Sequence, residues 1–274
     1  MQNIGPIGVF DSGYGGLTVL REIVKALPQY DYVYLGDNAR SPYGTRSFEV
    51  VHTFTLQCVT RLFDLGCPLV ILACNTASAK ALRTIQQVDL PAMCTDKNVL
   101  GVIRPTTEIV GQLTKTRHVG VLGTTGTIKS DSYPTEIRKF FPDITVHGEA
   151  CPMWVPLVEN DECHSAGAEY FVRKHVDKLL AVDSRIDTII LGCTHYPLLE
   201  STIRKFLPNE ISLVSQGPIV AERLGDYLQR HRELEKRCSK KGSRLFYTTD
   251  DAETFDAKGS IFMGTPVRSS YLTL

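Results

Sequence analysis

The chain has 274 residues, 43% hydrophobic and 22% charged, the proportions of an ordinary folded protein with length for two α/β domains. Its 30 Lys and Arg balance 30 Asp and Glu, which argues against a nucleic-acid or anionic-membrane footprint. No apolar run approaches the roughly 18 residues of a membrane span, and the opening Met1-Gln-Asn-Ile-Gly-Pro6 lacks the basic and apolar segments of an export signal, so a cytoplasmic protein is expected.

Short apolar runs alternate with helical patterns from the start, the grammar of a mainly parallel sheet flanked by helices. Ile7–Phe10 reads as a strand and Asp11-Ser-Gly-Tyr-Gly-Gly16 as its turn. Leu17, Leu20, Val24 and Leu27 then recur at helical spacing until Pro28. Tyr32–Leu35 is the next strand, followed by the turn-rich Gly36–Gly44, and a helix is predicted from about Phe48 to Leu65. Leu69–Ala73 is apolar without alternation, as a strand covered on both faces must be.

The second half repeats this order. His118–Leu122 is a strand with the small-residue turn Gly123–Thr127, and helices are predicted over about Ser132–Phe141 and Ala166–Leu180. Thr188–Leu191 is a second buried strand, and its continuation Leu191-Gly-Cys-Thr-His195 echoes Leu72-Ala-Cys-Asn-Thr76. The echoes lie 119 residues apart at the cysteines (193 minus 74) and 112 at the early strands (120 minus 8), which points to an internal duplication. Boundaries are placed near Asn98 and Asn209. Residues 1–98 with 210–274 then form a first α/β lobe holding Cys74, to which the strand-like Leu245–Thr248 returns, and residues 99–209 form a second holding Cys193. The charge-dense Arg230–Lys241 reads as a solvated helix end.

Eight cysteines (58, 67, 74, 94, 151, 163, 193 and 238) are scattered without any C-x-x-C. Reduced thiols are expected, and neither zinc nor another metal has the usual cysteine spacing in its favour. Gly13–Gly16 lacks the last glycine of a dinucleotide fingerprint, Thr18 standing there, and Gly123–Ser130 has the wrong spacing for a P-loop.

In parallel α/β sheets a ligand lies beyond the carboxyl ends of the strands. At such ends stand Asp11-Ser12, Tyr43-Gly44, Cys74-Asn75-Thr76, Thr124 with Thr127, and Cys193-Thr194-His195. Facing lobes would put one thiol on each side of a small molecule. Inverting a carbon stereocentre needs that arrangement, because a proton must leave one face and arrive on the other. Each cysteine precedes a predicted helix start, where unpaired N–H groups favour a thiolate. A cysteine ending a buried strand also reads as a small core residue, Asp11 as a turn carboxylate, Asp37 as an Asx turn, His195 as a structural histidine and Glu159 as a solvated loop carboxylate.

Six segments in order carry a resemblance: Gly8-Val-Phe-Asp-Ser-Gly-Tyr-Gly-Gly16, Tyr34-Leu-Gly-Asp-Asn-Ala-Arg-Ser-Pro-Tyr-Gly44, Ala73-Cys-Asn-Thr-Ala-Ser78, Gly101-Val-Ile-Arg-Pro105, Pro156-Leu-Val-Glu159 and Leu191-Gly-Cys-Thr-His-Tyr-Pro197. Over almost its whole length the sequence resembles the bacterial glutamate racemases of the aspartate/glutamate racemase superfamily. The resemblance implies two similar α/β lobes with the active site between them, and interconversion of L- and D-glutamate for peptidoglycan. It implies no cofactor, and no motif points to a Schiff-base lysine. It implies Cys74 as the base for D-glutamate and Cys193 for the opposite face. Asp11 is implied to assist Cys74, His195 with Glu159 to assist Cys193, and Asp37 to belong to the same polar shell. Substrate contacts are implied at Asp11, Ser12, Tyr43, Gly44, Asn75, Thr76, Thr194 and His195, with Thr124 and Thr127 near a carboxylate. A homodimer is expected by the same analogy, with no nucleic-acid or membrane partner. With nine residues before Phe10, the cell-wall-precursor activation of some extended relatives is not expected. A sister racemase acting on aspartate, a related two-cysteine isomerase and a non-catalytic acidic amino-acid binding protein remain the alternatives.

Overall fold

A computed structural model describes residues 4–93 and 96–274; Met1–Asn3 and Cys94, both used above, lie outside the described residues. Strands β1 (Ile7–Asp11), β2 (Tyr32–Gly36), β3 (Leu69–Leu72) and β4 (Asn98–Gly101) open one sheet. Strands β5 (His118–Gly123), β6 (Thr145–Ala150), β7 (Thr188–Gly192) and β8 (Ser212–Val214) form a second. The chain then returns to the first sheet with β9 (Arg244–Thr248) and β10 (Ser269–Tyr271). The orders are β10-β9-β2-β1-β3-β4 and β6-β5-β7-β8, and every ladder is parallel. The inner run β2-β1-β3-β4 has the same order as β6-β5-β7-β8, so the two sequence echoes fall on equivalent strands, β1 with β5 and β3 with β7.

The strands legible as unbroken apolar runs are the central ones. Every residue of β1, β2, β3 and β7 is buried, because helices cover both sheet faces. The helix Gly16–Ala26 buries Leu17, Leu20 and Ile23 on one face, each worth roughly 1.5–3 kcal/mol. It packs along the helix Gln216–Arg230, which carries the chain back after the second sheet. Ser47 caps the helix Phe48–Asp64 by accepting the Val50 N–H, as Ser165 caps Ala166–Val182. Among the described residues no helix is long and apolar enough to cross a membrane.

The expected boundaries fall beside two edge strands. Asn98–Gly101 pairs with β3 and completes the edge of the first sheet, whereas Ser212–Val214 pairs with β7 in the second. The crossings between sheets therefore follow Gly101 and Val214, a few residues later than 98 and 209. Both strands lie at sheet edges and carry little buried surface, so their pairing leaves no mark in the sequence.

The sheets face each other across a cleft closed by direct bonds. Tyr133 donates its hydroxyl to Asn75 Oδ1 at 2.7 Å, Gly126 N–H reaches Gly44 O at 2.7 Å, and Thr18 Oγ1 donates to Thr194 O at 2.8 Å. Gly15 permits a close approach here, since a Cβ would overlap Thr194 Oγ1 and the His195 ring.

Candidate active site

A cavity of about 470 Å³ opens at the carboxyl ends of β1, β3, β5 and β7. Short ladder extensions carry the loops into it: Ala73 N–H bonds Phe10 O at 2.8 Å, just before Cys74, and Cys151 N–H bonds Gly123 O at 2.9 Å. Cys74 and Cys193 both line the cavity, one from each lobe, each 6% exposed. Ser12, Tyr43, Gly44, Asn75, Thr76, Thr124, Glu159, Thr194 and His195 line it too.

The thiol of Cys74 caps the helix Asn75–Lys80, accepting the Ala77 N–H at 3.4 Å, and lies 3.5 Å from the Ser12 hydroxyl. These contacts favour a thiolate, but burial outweighs them and the neighbouring Asp11 adds to it, so the thiol is pushed up to about 12. The expected effect of a helix start is present at Cys74 and is overruled. Asp11 stands behind Cys74, 1% exposed and outside the cavity lining. Its Oδ2 accepts the Gly13 N–H at 3.0 Å, while Oδ1 is buried without a partner. Burial raises its carboxyl above the ordinary value despite the opposing charge of His195 and the N–H groups of Gly16 and Gly13.

The environment of Cys193 is different. The helical turn expected from Tyr196 is the 3₁₀ segment Tyr196–Leu199, with His195 and not Cys193 at its N-cap. Its sulfur lies 3.9 Å from His195 Nδ1, and His195 Nε2 is 2.9 Å from Glu159 Oε1. Burial alone would lower the imidazole, but the hydrogen bonds to Cys193 and Glu159 prevail and raise it to about 10. These two contacts hold His195 between a carboxylate and a sulfur.

A cradle of hydroxyls adjoins Cys74. Thr76 Oγ1 is 2.9 Å from Thr124 Oγ1 and 3.4 Å from Thr127 Oγ1, and Thr124 accepts the Thr127 N–H at 3.2 Å. Thr127 is buried beneath the lining rather than in it. Asn75 spends its Oδ1 on Tyr133, which leaves its NH₂ donors for a ligand. Asp37, fully buried, also stands outside the lining: it accepts from Tyr43 Oη, from Arg40 Nε at 2.7 Å and from Thr249 Oγ1 at 2.9 Å. Its carboxylate orients Tyr43 and does not face a ligand directly.

Sequence reasoning missed Tyr14, Cys151, Asp250 and Lys258, all in the lining. Lys258 comes from the helix Ala252–Met263, its Nζ 5.7 Å from the centroid of the Tyr14 ring. The usable signal was positional: Asp250 follows the carboxyl end of β9 as Ser12 follows β1. The seven described cysteines are all buried and free of disulfides.

The Asp/Glu/hydantoin racemase family matches residues 7–224. The glutamate racemase of Geobacter metallireducens is 39% identical over 266 residues, 97% of this chain and 95% of that protein. That of Shouchella clausii is 41% identical over 251 residues, 91% of this chain and 87% of that one. Among solved structures, glutamate racemase isoform RacE1 from Bacillus anthracis superposes with a TM-score of 0.90 at 35% identity, covering 99% of this chain and 98% of that one. The glutamate racemase from Francisella tularensis, solved with D-glutamate, gives 0.87 at 32% identity over 100% and 98%.

Proposed function

This chain belongs to the Asp/Glu/hydantoin racemase family, and we propose that its cavity interconverts L- and D-glutamate by proton transfer between Cys74, Cys193 and the substrate Cα. One observation carries this reading: two buried thiols, from equivalent strands of two different sheets, line one cavity of amino-acid size. In one direction the Cys193 thiolate takes the Cα proton. The C–H bond breaks as the S–H bond forms, and the electron pair moves into the α-carboxylate. The Cys74 thiol then delivers its proton to the opposite face. The products are the mirror-image amino acid, a Cys193 thiol and a Cys74 thiolate, and the reverse reaction starts from that state.

The surroundings support this division of labour. His195, paired with Glu159, is the group beside the Cys193 sulfur, whereas burial and Asp11 favour Cys74 as a thiol. Asp11 and the His195–Glu159 pair are therefore positioning residues for the two thiols. One positioned base supplies about 10²–10⁴-fold; the remainder is assigned to the donors of Ser12, Asn75, Thr76, Thr124 and Thr194, which meet charge developing on the carboxylate. Asp37 acts through Tyr43, and Thr127 through Thr76 and Thr124. The proposal needs no cofactor. Its setting is a cytoplasmic homodimer supplying D-glutamate for peptidoglycan, supported by the family resemblance. Full activity at the mass of a single chain would remove the dimer from it.

The test is purified protein with L-glutamate in heavy water and no added cofactor, following optical rotation and Cα deuterium together. Loss of rotation with deuterium uptake is expected. Bound glutamate with neither change would make the cavity a binding site only, and reaction of aspartate instead would keep the mechanism and change the substrate.

A further inference from the structure

The opposite, amino-terminal end of the second sheet holds a cluster that the proposed reaction does not use. His118 begins β5 and His147 lies on the adjacent β6, while Asp183 ends the helix Ala166–Val182 just before β7. At about 3.3 Å per strand residue, His118 lies roughly 16 Å from the cavity end of β5. The ligand atoms of these three side chains all fall within 4.8 Å of one another. Asp183 Oδ2 is 2.9 Å from His118 Nδ1 and 3.1 Å from His147 Nε2, and the two rings lie nearly parallel, 14° apart.

The hydrogen bonding around this carboxylate does not close. Arg185 donates from Nε to Oδ1 and from Nη2 to Oδ2, both at 2.9 Å, and His147 also bonds Oδ2. An oxygen with two lone pairs is then saturated. His118 Nδ1, though close, is not directed at it and is buried without a hydrogen-bond partner. An unpartnered buried nitrogen costs about 1–3 kcal/mol. Its lone pair, the neighbouring imidazole and the carboxylate form a two-nitrogen, one-oxygen donor set, the oxygen about 3 Å from each nitrogen and all three atoms within 4.8 Å of one another, close enough to converge on one ion.

We propose that His118, His147 and Asp183 bind one divalent transition-metal ion, with zinc the best match to two imidazoles and a carboxylate. The ion replaces the His147–Asp183 hydrogen bond, takes up the free His118 nitrogen and leaves a fourth position for water. Arg185 keeps its fork on the carboxylate and holds it in place. The ion ties β5, β6 and the end of the helix Ala166–Val182 together, so its effect is on the stability of the second lobe and not on proton transfer.

The test uses full-length protein carrying Cys74→Ser and Cys193→Ser, which removes the cavity thiols as competing ligands. Zinc sulfate should bind with one equivalent by calorimetry and raise the melting temperature. His118→Ala and His147→Ala, each in that background, should weaken binding by at least the about 10–100-fold that losing an outer partner costs a metal site. Asp183→Asn supplies a third variant should a histidine variant fail to fold. Cobalt(II) in the same parent should give a tetrahedral spectrum without a thiolate charge-transfer band. Absence of binding in the parent, unchanged stoichiometry and affinity in the folded variants, or a thiolate band would each overturn the proposal.

Discussion

The two lobes repeat one strand order, yet the sulfur each offers the cavity stands in opposite electrical company. Cys74 has a buried carboxylate behind it and is pushed up to about 12, whereas Cys193 faces His195, which its bonds to Cys193 and Glu159 raise to about 10. Duplication of a βα unit supplies geometry, two thiols at equivalent strand ends facing one another. It does not supply chemistry, because two thiols in identical settings would rest in the same protonation state. A proton relay across a planar intermediate needs one acid and one base at the outset. We assign that asymmetry to positions where the lobes differ: Asp11 at the end of β1, where β5 ends in Gly123, and Glu159 on the short helix Trp154–Glu159.

The strongest way to break the comparison is to remove either sulfur. Cys74→Ser and Cys193→Ser should each lower racemisation by at least about 10²–10⁴-fold with the fold intact, measured by optical rotation and circular dichroism. If one variant keeps its rate, a single-thiol mechanism replaces the paired one. A large effect on stability should come from Trp154, the chain's only tryptophan. It is fully buried, edge-on to Tyr196 with ring centroids 4.8 Å apart, and it begins the helix that ends in Glu159. Trp154→Ala should cost about 3–5 kcal/mol in denaturant unfolding, and it should weaken activity through displacement of Glu159. Unchanged stability would mean that the second lobe collapses around the vacancy.

The partners of the sulfurs sharpen the comparison. Asp11→Asn and His195→Gln should each cost about 10²-fold in kcat/KM, at the low end of acid–base assistance. Mirror-image substrates have equal free energies, so kcat/KM must fall equally in both directions. The asymmetry of the site should appear instead in kcat and KM separately, with the two variants favouring opposite directions. Identical patterns in both would refute the assignment of one partner to each thiol. The His195 ion pair also has a stability signature. A histidine whose pKa is raised from 6.5 to about 10 binds more protons folded than unfolded between those values. Its contribution is complete below about 6.5 and is lost as pH rises toward about 10. Unfolding free energy of the native protein should therefore decline over that window, and His195→Gln should flatten the decline.

What the sequence revealed follows the same physics. Strands β1, β2, β3, β5 and β7 were legible because their continuous apolar runs are buried on both faces. Strands β6, β8 and β10 were not, because at sheet edges they hold few buried residues: in Thr145–Ala150 only Glu149 is buried. Their pairing is decided by tertiary placement, not by local preference. In the cavity, residues directly after central strands were legible from their motifs. Lys258 was not, because only the return of the chain after β9 brings it there. Nor were His118, His147 and Asp183 legible as a group, since metal spacing is sought within a few residues and these lie 29 and 36 apart (147 minus 118, 183 minus 147).

The smallest predicted effect tests whether the lobes act as one rigid cleft. Tyr133, 2% exposed in the second lobe, donates to Asn75 Oδ1 beside Cys74 in the first. Tyr133→Phe keeps the ring and its packing, so the change is confined to that bond. A buried amide oxygen left without a donor costs about 1–3 kcal/mol. Because the bond spans the cleft, part of that cost should appear as freedom of the Asn75 amide to rotate, which would misplace the NH₂ donors that the bond now frees for the substrate. The expected result is a rise in KM several times larger than the fall in kcat, for both enantiomers alike, since Asn75 lies in the shared cradle and not in the surroundings of one sulfur. A fall in kcat with KM unchanged would instead make Tyr133 part of the Cys74 half-site, and the division between a symmetric cradle and asymmetric thiols would have to be redrawn.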